Sequence, residues 1–391
     1  MICRGVFNLA EGRRSSRSRC SAVLRLLAPA AVLAFPAGAQ TAGATVGPTY
    51  WAYVANESSD VVSLVRFDGH KAVEEKTIDV GPHPTDLDGA HGLAVSPSGE
   101  HWYVSLAHGT PYGRIWKFET GTDRLMDSTT VGLFPATMGL TPDASTLFVV
   151  NFNLHGDHIP SSVSAVFTPF MREMKKIETC VMPHGSRLSA DGASHYSTCM
   201  MSDQLVEIAT DRLAVSRRFQ LTRGHEQLLD NTASGTHAMG AGVCKPTWVV
   251  PSVDDRHLYI PCNGRGEVLE IERQSMEVTR TFATGAGPYN ADVSADGQHL
   301  VVSLKGNQAI AVIDLKSGTV TQVATTQPVT HGVAVTPDSR YAFVTNEAVG
   351  AVRGTVDIFD IGSKELVASV EVQYQPGGIA FWKMEKPDPS R

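Results

Sequence analysis

The sequence predicts an all-β fold, a seven-bladed β-propeller built from four-stranded antiparallel blades. Three observations lead to this fold class. One sixteen-residue phrase recurs along the chain without gaps, each copy has the pattern of a β-hairpin, and the two ends of the repeated region complement each other. Repetition of a four-stranded unit at such a period is typical of propellers.

Six full copies of the sixteen-residue phrase occur along the chain. They read HGLAVSPSGEHWYVSL from 91, ATMGLTPDASTLFVVN from 136, HGSRLSADGASHYSTC from 184, TWVVPSVDDRHLYIPC from 247, YNADVSADGQHLVVSL from 289 and HGVAVTPDSRYAFVTN from 331. In each, an alternating apolar run leads into a turn rich in Pro, Asp, Gly and Ser, and a second apolar run follows. A later run such as 308–318 supplies the third strand of a blade, and a run such as 319–326 supplies the fourth.

A seventh, incomplete copy predicts how the ring closes. The segment 50–65 has the second half of the phrase without an opening strand, whereas QPGGIAF at 375–381 is an opening strand without the rest. We therefore expect both ends to share one blade and the propeller to span 48–383, between a short linker (40–47) and a tail (384–391). The spacing is broken only by an insertion within 221–242.

The amino-terminal segment predicts export. Arg13, Arg14, Arg17 and Arg19 precede the apolar run LRLLAPAAVLAF, and Ala37 and Ala39 follow as small residues of a cleavage site. This order is that of a signal peptide (1–39) cleaved near Ala39, which predicts a periplasmic or secreted protein. The Arg13–Arg14 pair leaves both the Sec and the twin-arginine routes open. No apolar run is long enough to predict a membrane span, and we expect a monomer.

Composition and motifs exclude several classes of function. The net charge is −7 and the basic residues are scattered, so we expect no nucleic-acid partner. The chain has neither a Gly-x-Ser-x-Gly elbow nor a phosphate-binding glycine loop.

The phrases "YAFVTN" and "YVAN", with their SPDG-like turns, resemble those of the YVTN-repeat β-propellers. This resemblance covers about 48–383 and implies a place in the superfamily of cytochrome-cd1-like and amine-dehydrogenase-like propellers. Members of that superfamily include enzymes, electron-transfer partners, scaffolds and binding modules, so the resemblance implies architecture more than activity. Covalent haem is not expected, because the chain lacks Cys-x-x-Cys-His.

The first strand of a propeller blade lines the central channel, so the first residue of every copy is expected in one ring near one mouth. The ring residues for blades 1 to 7 are Gly377, His91, Ala136, His184, Thr247, Tyr289 and His331. Three histidines spread around an axis predict a transition-metal site, for copper or another metal. The alternative is that histidines at strand starts simply hydrogen-bond to neighbouring loops.

Other polar residues are weaker candidates. We assign supporting roles at the mouth to His108, Tyr289 and Arg187, the last of which, with Lys245, suits an anionic substrate. Loop histidines are interpreted as solvated loop residues rather than ligands: His155 and His158 with Asp157, and His225 and His237 in the insertion.

Four cysteines remain after signal removal, and an even number in an exported chain suggests disulfides. The most local pairing is Cys180 to Cys199 and Cys244 to Cys262. The competing interpretation is a soft copper site that combines Cys180 and Cys199 with Met182, Met200 and Met201.

Two hypotheses of function follow. The first is a binding or scaffold module that takes up a small molecule or a periplasmic protein at the channel mouth. The alternative is a metal-dependent oxidoreductase, with copper as one candidate metal, that uses His91, His184 and His331 as ligands; a cofactor-free lyase or lactonase with a channel histidine as base is a lesser variant.

Overall fold

The computed structural model describes residues 47–82, 85–109, 111–235, 237–238, 240 and 242–387. The predicted signal peptide and most of the predicted linker lie outside the described residues. The described residues form seven antiparallel sheets in a ring, so the predicted seven-bladed propeller is confirmed.

The first four blades have the following strands. Blade 1 contains β1 (Thr49–Asn56), β2 (Val61–Phe67), β3 (Ala72–Asp79) and β29 (Pro376–Glu385). Blade 2 contains β4 (Ala90–Val95), β5 (His101–Leu106), β6 (Arg114–Glu119) and β7 (Leu125–Thr130). Blade 3 contains β8 (Pro135–Leu140), β9 (Thr146–Asn151), β10 (Pro160–Phe167) and β11 (Arg172–Val181). Blade 4 contains β12 (Pro183–Leu188), β13 (Ser194–Cys199), β14 (Gln204–Ala209), β15 (Ala214–Gln220) and β16 (Gln227–Leu229).

The remaining three blades each have four strands. Blade 5 contains β17 (Val250–Pro251), β18 (His257–Cys262), β19 (Glu267–Glu272) and β20 (Val278–Ala283). Blade 6 contains β21 (Pro288–Val293), β22 (His299–Leu304), β23 (Ala309–Asp314) and β24 (Val320–Ala324). Blade 7 contains β25 (Thr330–Val335), β26 (Tyr341–Asn346), β27 (Thr355–Asp360) and β28 (Glu365–Glu371).

The hydrophobic core is divided into layers between neighbouring blades. Val301 and Val312 of blade 6 pack on Val344 and Phe359 of blade 7, and equivalent clusters join each other pair of neighbours. Middle strands are covered on both faces, which is why β23 (AIAVID) is almost wholly apolar and buried. The outermost strands face solvent, as the exposed sequence LMDSTT of β7 shows.

The turn within each copy is fixed by a Ser or Thr hydroxyl, joined in all copies but that of blade 2 by an Asp carboxylate. In blade 6 the Ser294 hydroxyl donates to Asp296 (2.6 Å) and accepts from the backbone N–H of His299 (2.9 Å). The Asp296 carboxylate also accepts from the N–H of Gln298 (3.0 Å), and Gly297 supplies the positive φ of 69°. The SPDG-like signal of the sequence is therefore a hydrogen-bonded hairpin turn.

The ring closes as the two incomplete copies predict. Strand β29 pairs antiparallel with β1, placing Phe381 opposite Ala52 and Ile379 opposite Val54. This pairing makes the first and last strands parts of one sheet and covers the inner edge of β1.

The insertion lies against the outer parts of blades 3 and 4. Its strand β16 pairs with β15, and a 3₁₀ turn at Ala233–Gly235 follows. The Ser234 hydroxyl donates to Glu178 of blade 3 (2.9 Å). The backbone N–H of Ala238 donates to Met201 O of blade 4 (2.9 Å).

Candidate functional site

A bulge at the start of the innermost strands directs the ring residues. The register with the second strand shifts at this point in blades 1, 2, 3, 4, 6 and 7, for example between Ala90 and Leu93 and between Pro183 and Ser186. Bulges add one residue and redirect a side chain. The same deviation in six blades therefore presents the first residue of each copy to the hub.

The glycine after each ring histidine has a steric reason. A Cβ at Gly92 would overlap the carbonyl of Ala136 in the next blade, and one at Gly332 would overlap the carbonyl of Gly377. At these two glycines the neighbouring innermost strands approach each other too closely for a side chain. Packing between blades therefore requires glycine at the position that follows each ring histidine.

Three imidazoles and one phenol converge at the hub ring. The ring centroids of His91 and His331 are 6.0 Å apart, and Tyr289 lies 4.7 Å from His331 and 5.2 Å from His184. The three histidines are 8%, 1% and 3% exposed for His91, His184 and His331. The structure therefore brings the predicted ring residues together, whereas their role as metal ligands stays a prediction.

His184 is held in one tautomer. Its Nδ1 lies 3.0 Å from the carbonyl oxygen of Thr247, which can only accept, so Nδ1 donates. Its Nε2 then accepts from the hydroxyl of Tyr289 at 2.9 Å. Burial lowers the pKa of His184 to about 3, so the imidazole is neutral at physiological pH.

Glu57 joins two histidines at the hub. Its carboxylate lies 2.8 Å from His91 Nδ1 and 2.8 Å from His108 Nε2. Burial alone would raise the pKa of Glu57, but the two imidazoles lower it well below its usual range. The hydrogen bond to Glu57 in turn raises the pKa of His108. This pairing favours an ionised carboxylate beside a protonated His108.

A second charged group lies on the other side of His331. Lys305 Nζ is 2.9 Å from Glu347 Oε1 and 4.6 Å from the centroid of the Tyr289 ring. His331 Nε2 is 3.5 Å from the same Glu347 oxygen. Burial and the Lys305 charge lower the pKa of His331, and burial and the Glu347 charge raise that of Tyr289. Both rings are therefore neutral.

Aromatic side chains form the remaining wall of the hub. Phe134 lies 5.1 Å from His91, Phe152 lies 4.7 Å from His184, and Trp248 lies 5.7 Å from His184, all between ring centroids. We call Glu57, His108, Lys305 and Glu347 the charged side, from blades 6, 7, 1 and 2. Phe134, Phe152 and Trp248, from blades 3 and 5 on either side of His184, are the aromatic side.

Sequence reasoning missed Glu57, Lys305 and Glu347. Each is the residue directly after the last residue of a copy, following Asn56, Leu304 and Asn346. The repeat itself could have located them. The residue after the end of each copy occupies an equivalent position in every blade, and these positions form a second ring just outside the first.

A cavity of about 280 Å³ lies along the axis beneath the ring. It extends from His91 and His331 to Pro97, Leu140 and Phe381, near the carboxyl ends of the innermost strands. Arg187 lines this cavity and so lies deeper than the mouth position expected for it. Strict alternation would turn residue 187 away from the side that His184 faces, but the bulge between Pro183 and Ser186 shifts the alternation by one residue.

The predicted disulfides are confirmed. Cys180 bonds to Cys199 and Cys244 to Cys262, with Cα–Cα distances of 6.0 and 4.5 Å. Both bridges indicate an oxidising, extracytoplasmic compartment. The copper site that needed Cys180 and Cys199 as thiolates is wrong, because both sulfurs are bonded.

The remaining candidates lie apart from the ring or at its margin. The His155 ring centroid is 5.8 Å from that of His108, whereas the His158 carbonyl accepts from His237 Nε2 (3.0 Å) in the insertion. Lys245 is exposed and its backbone N–H donates to Asp203 (2.8 Å).

The described residues hold neither a group of metal ligands nor a membrane-spanning helix. In that part of the chain, no three or more His, Cys, Asp and Glu side chains form a group able to hold a metal ion. Nor does the described part contain a helix with the length and apolar character needed to cross a membrane.

Comparison with known proteins supports the fold. No protein-family model and no curated protein matches the chain. A hydrazine synthase chain of Kuenenia stuttgartiensis matches with 19% identity and a TM-score of 0.60, over 77% of this chain and 92% of that one. A putative 6-phosphogluconolactonase of Bacteroides uniformis matches with 15% identity and a TM-score of 0.62, over 85% and 99%. A periplasmic gluconolactonase of Pseudomonas aeruginosa matches with 16% identity and a TM-score of 0.62, over 86% and 99%. At these identities the likeness shows a shared propeller fold.

Proposed function

We propose that the chain is an exported YVTN-type β-propeller that binds a small molecule in its central channel. The cavity beneath the hub ring carries this proposal, because it combines apolar walls with a few polar groups deep in the fold. Export is supported by the predicted signal peptide and by the two disulfides. Two of the fold neighbours are named for acting on small sugar lactones, which agrees with a small ligand.

Filling the cavity tests this proposal. Ala334 lines the cavity and is 5% exposed, so Ala334→Leu places a larger side chain in the channel. Small-molecule fragments that bind the wild type in ligand-observed NMR are expected to bind this variant at least about tenfold more weakly. Ala283→Leu, on the exposed outer strand β20, is the matched control and should change nothing. Fragments that bind both variants equally would place the binding site elsewhere.

A metal-dependent oxidoreductase is the second candidate, and it requires the ring histidines to draw together on a metal, because no three ligand side chains of the described residues are grouped to hold one. It is favoured by the way two ring histidines are oriented, since His184 Nδ1 faces the Thr247 carbonyl and His91 Nδ1 faces the Glu57 carboxylate. Metal-ligating histidines usually donate their other ring N–H to such a partner. A metal on His184 Nε2 would replace the hydrogen bond from Tyr289 or recruit its oxygen as a ligand.

Elemental analysis separates the two candidates. If the metal proposal is correct, protein purified without chelators carries about one copper or other transition-metal ion per chain. His184→Ala should lose that metal, and His299→Ala, remote from the hub at the start of β22, should keep it. Metal-free wild-type protein that stays metal-free after incubation with Cu²⁺ or Zn²⁺ would rule this candidate out.

A further inference from the structure

Arg187 is a cation inside the channel with no ion-pair partner among the described residues. It is half-buried, lies on the innermost strand β12 and faces the cavity. No carboxylate of the described residues lies within 4.0 Å of its guanidinium, whose only hydrogen bond is from Nη1 to the carbonyl of Ser186 (3.0 Å). The guanidinium carbon lies 5.2 Å from the Trp248 ring centroid. Most of its five donors are therefore unused.

The one carboxylate that lines this cavity is not ion-paired with Arg187. The Asp292 oxygens accept instead from the backbone N–H groups of Val335 (2.9 Å) and Val293 (3.2 Å). The two charges attract each other, but burial outweighs this attraction, raising the pKa of Asp292 and lowering that of Arg187. A cation that is only partly compensated inside a channel is costly, and a bound anion would lower that cost.

Two other polar atoms around the cavity have no hydrogen-bond partner in the part of the chain that the structure describes. They are Trp248 Nε1 and Asn290 Oδ1, and both residues line the cavity while being only 6% and 4% exposed. Buried polar atoms of folded proteins are rarely left unpaired, so these atoms mark a place where a ligand or water completes the bonding.

We infer that Arg187 holds the carboxylate of a small monocarboxylic acid bound in the channel, which deepens and rests on the proposed function. Arg187 is the one lysine or arginine among the cavity-lining residues, which suits a single negative charge rather than a phosphate dianion. Its planar fork matches a carboxylate. Leu93, Met138 and Val333 line the cavity and suit an apolar body on the acid.

Benzoate and its neutral counterpart benzamide test this inference by calorimetry or ligand-observed NMR. The wild type is expected to bind benzoate at least about tenfold more tightly than benzamide, since a charge-assisted pair is lost in the amide. Arg187→Met should abolish the preference, and Arg212→Met, an exposed arginine of the same blade, should retain it. Arg187→Met should fold normally, because removing an unpaired charge from inside a protein rarely destabilises the fold. Arg187→Lys is the second variant, since lysine keeps the charge but lacks the planar guanidinium fork.

The outcomes separate the two proposals. Equal binding of benzoate and benzamide that is lost in Ala334→Leu would overturn the role of Arg187 and leave the channel as a binding site. An unchanged benzoate preference in Arg187→Met would also overturn it. If neither probe binds at millimolar concentration, both the anion site and the cavity proposal are contradicted.

Discussion

The charged and aromatic sides of the hub share one backbone and differ in how their histidines are held. On the charged side, Glu57 pairs with His108 and raises its pKa, which favours an ionised pair beside the channel. Between the aromatic residues, His184 faces a carbonyl and a phenol, and burial lowers its pKa to about 3. A repeat therefore fixes where a side chain lies, whereas its neighbours decide its protonation state.

The two sides also differ in how their blades are fastened. The last residue of each copy is buried in all seven blades, yet it is Asn in blades 1, 3 and 7, Leu in blades 2 and 6, and Cys in blades 4 and 5. Asn346 donates to Thr355 (3.0 Å) and Asp357 (2.8 Å), whereas Cys199 and Cys262 form the disulfides. The residue at this one repeat position is thus held by hydrogen bonds, by apolar packing or by a disulfide, depending on the blade.

Removing the disulfides is expected to have the largest effect on this comparison. Each bridge closes a loop with a sequence separation of 19 or 18 residues, so each should contribute about 3 kcal/mol to the free energy of unfolding. Cys180→Ala/Cys199→Ala and Cys244→Ala/Cys262→Ala should each lower the urea midpoint accordingly. A loss below about 1 kcal/mol for either pair would show that hydrogen bonding and packing suffice in these blades too.

Acid sensitivity is the next largest expected effect. His195, in β13, is fully buried, and its ring centroid lies 5.0 Å from that of Phe148. Its ring nitrogens have no hydrogen-bond partner among the described residues, and burial lowers its pKa to about 3. Below pH 6.5 the unfolded chain binds a proton that the folded chain does not, so folding stability falls as the pH drops. His195→Phe should remove this loss, about 2 kcal/mol at pH 5.

The measurement is urea unfolding of both proteins at pH 7.5 and pH 5. The gain from His195→Phe should grow between the two pH values, because only the pH-dependent part reflects proton uptake. The same gain at both would mean that His195 is protonated in the folded state and would contradict the assignment.

Much of this architecture could be predicted from the sequence because it depends on local patterns. The hairpin phrase repeats without gaps, so alignment of the copies placed His91, His184 and His331 in one ring. The disulfides were accessible for the same reason, since each joins the segment before an innermost strand to the end of the next strand.

The parts that sequence reasoning missed depend on deviations from regular structure. The depth of Arg187 results from a bulge that reverses strand alternation, and a bulge leaves no clear mark in the sequence. Glu57 and Glu347 directly follow strands, where a carboxylate resembles that of any solvated loop. Packing at the hub brings Glu347 to His331 of its own blade and Glu57 to His91 of the next blade.

Glu57→Gln is expected to have the smallest effect on stability and the most specific effect on the hub. Above about pH 4.3 the ionised Glu57 stabilises the fold, and this contribution is lost as the pH falls through its lowered pKa. Since glutamine keeps one hydrogen bond but no charge, the variant should lose about 1 kcal/mol at pH 7. The pKa of His108, followed by NMR, should fall, because its charged partner is gone. An unchanged His108 pKa would mean that the two sides of the hub do not differ in the way proposed.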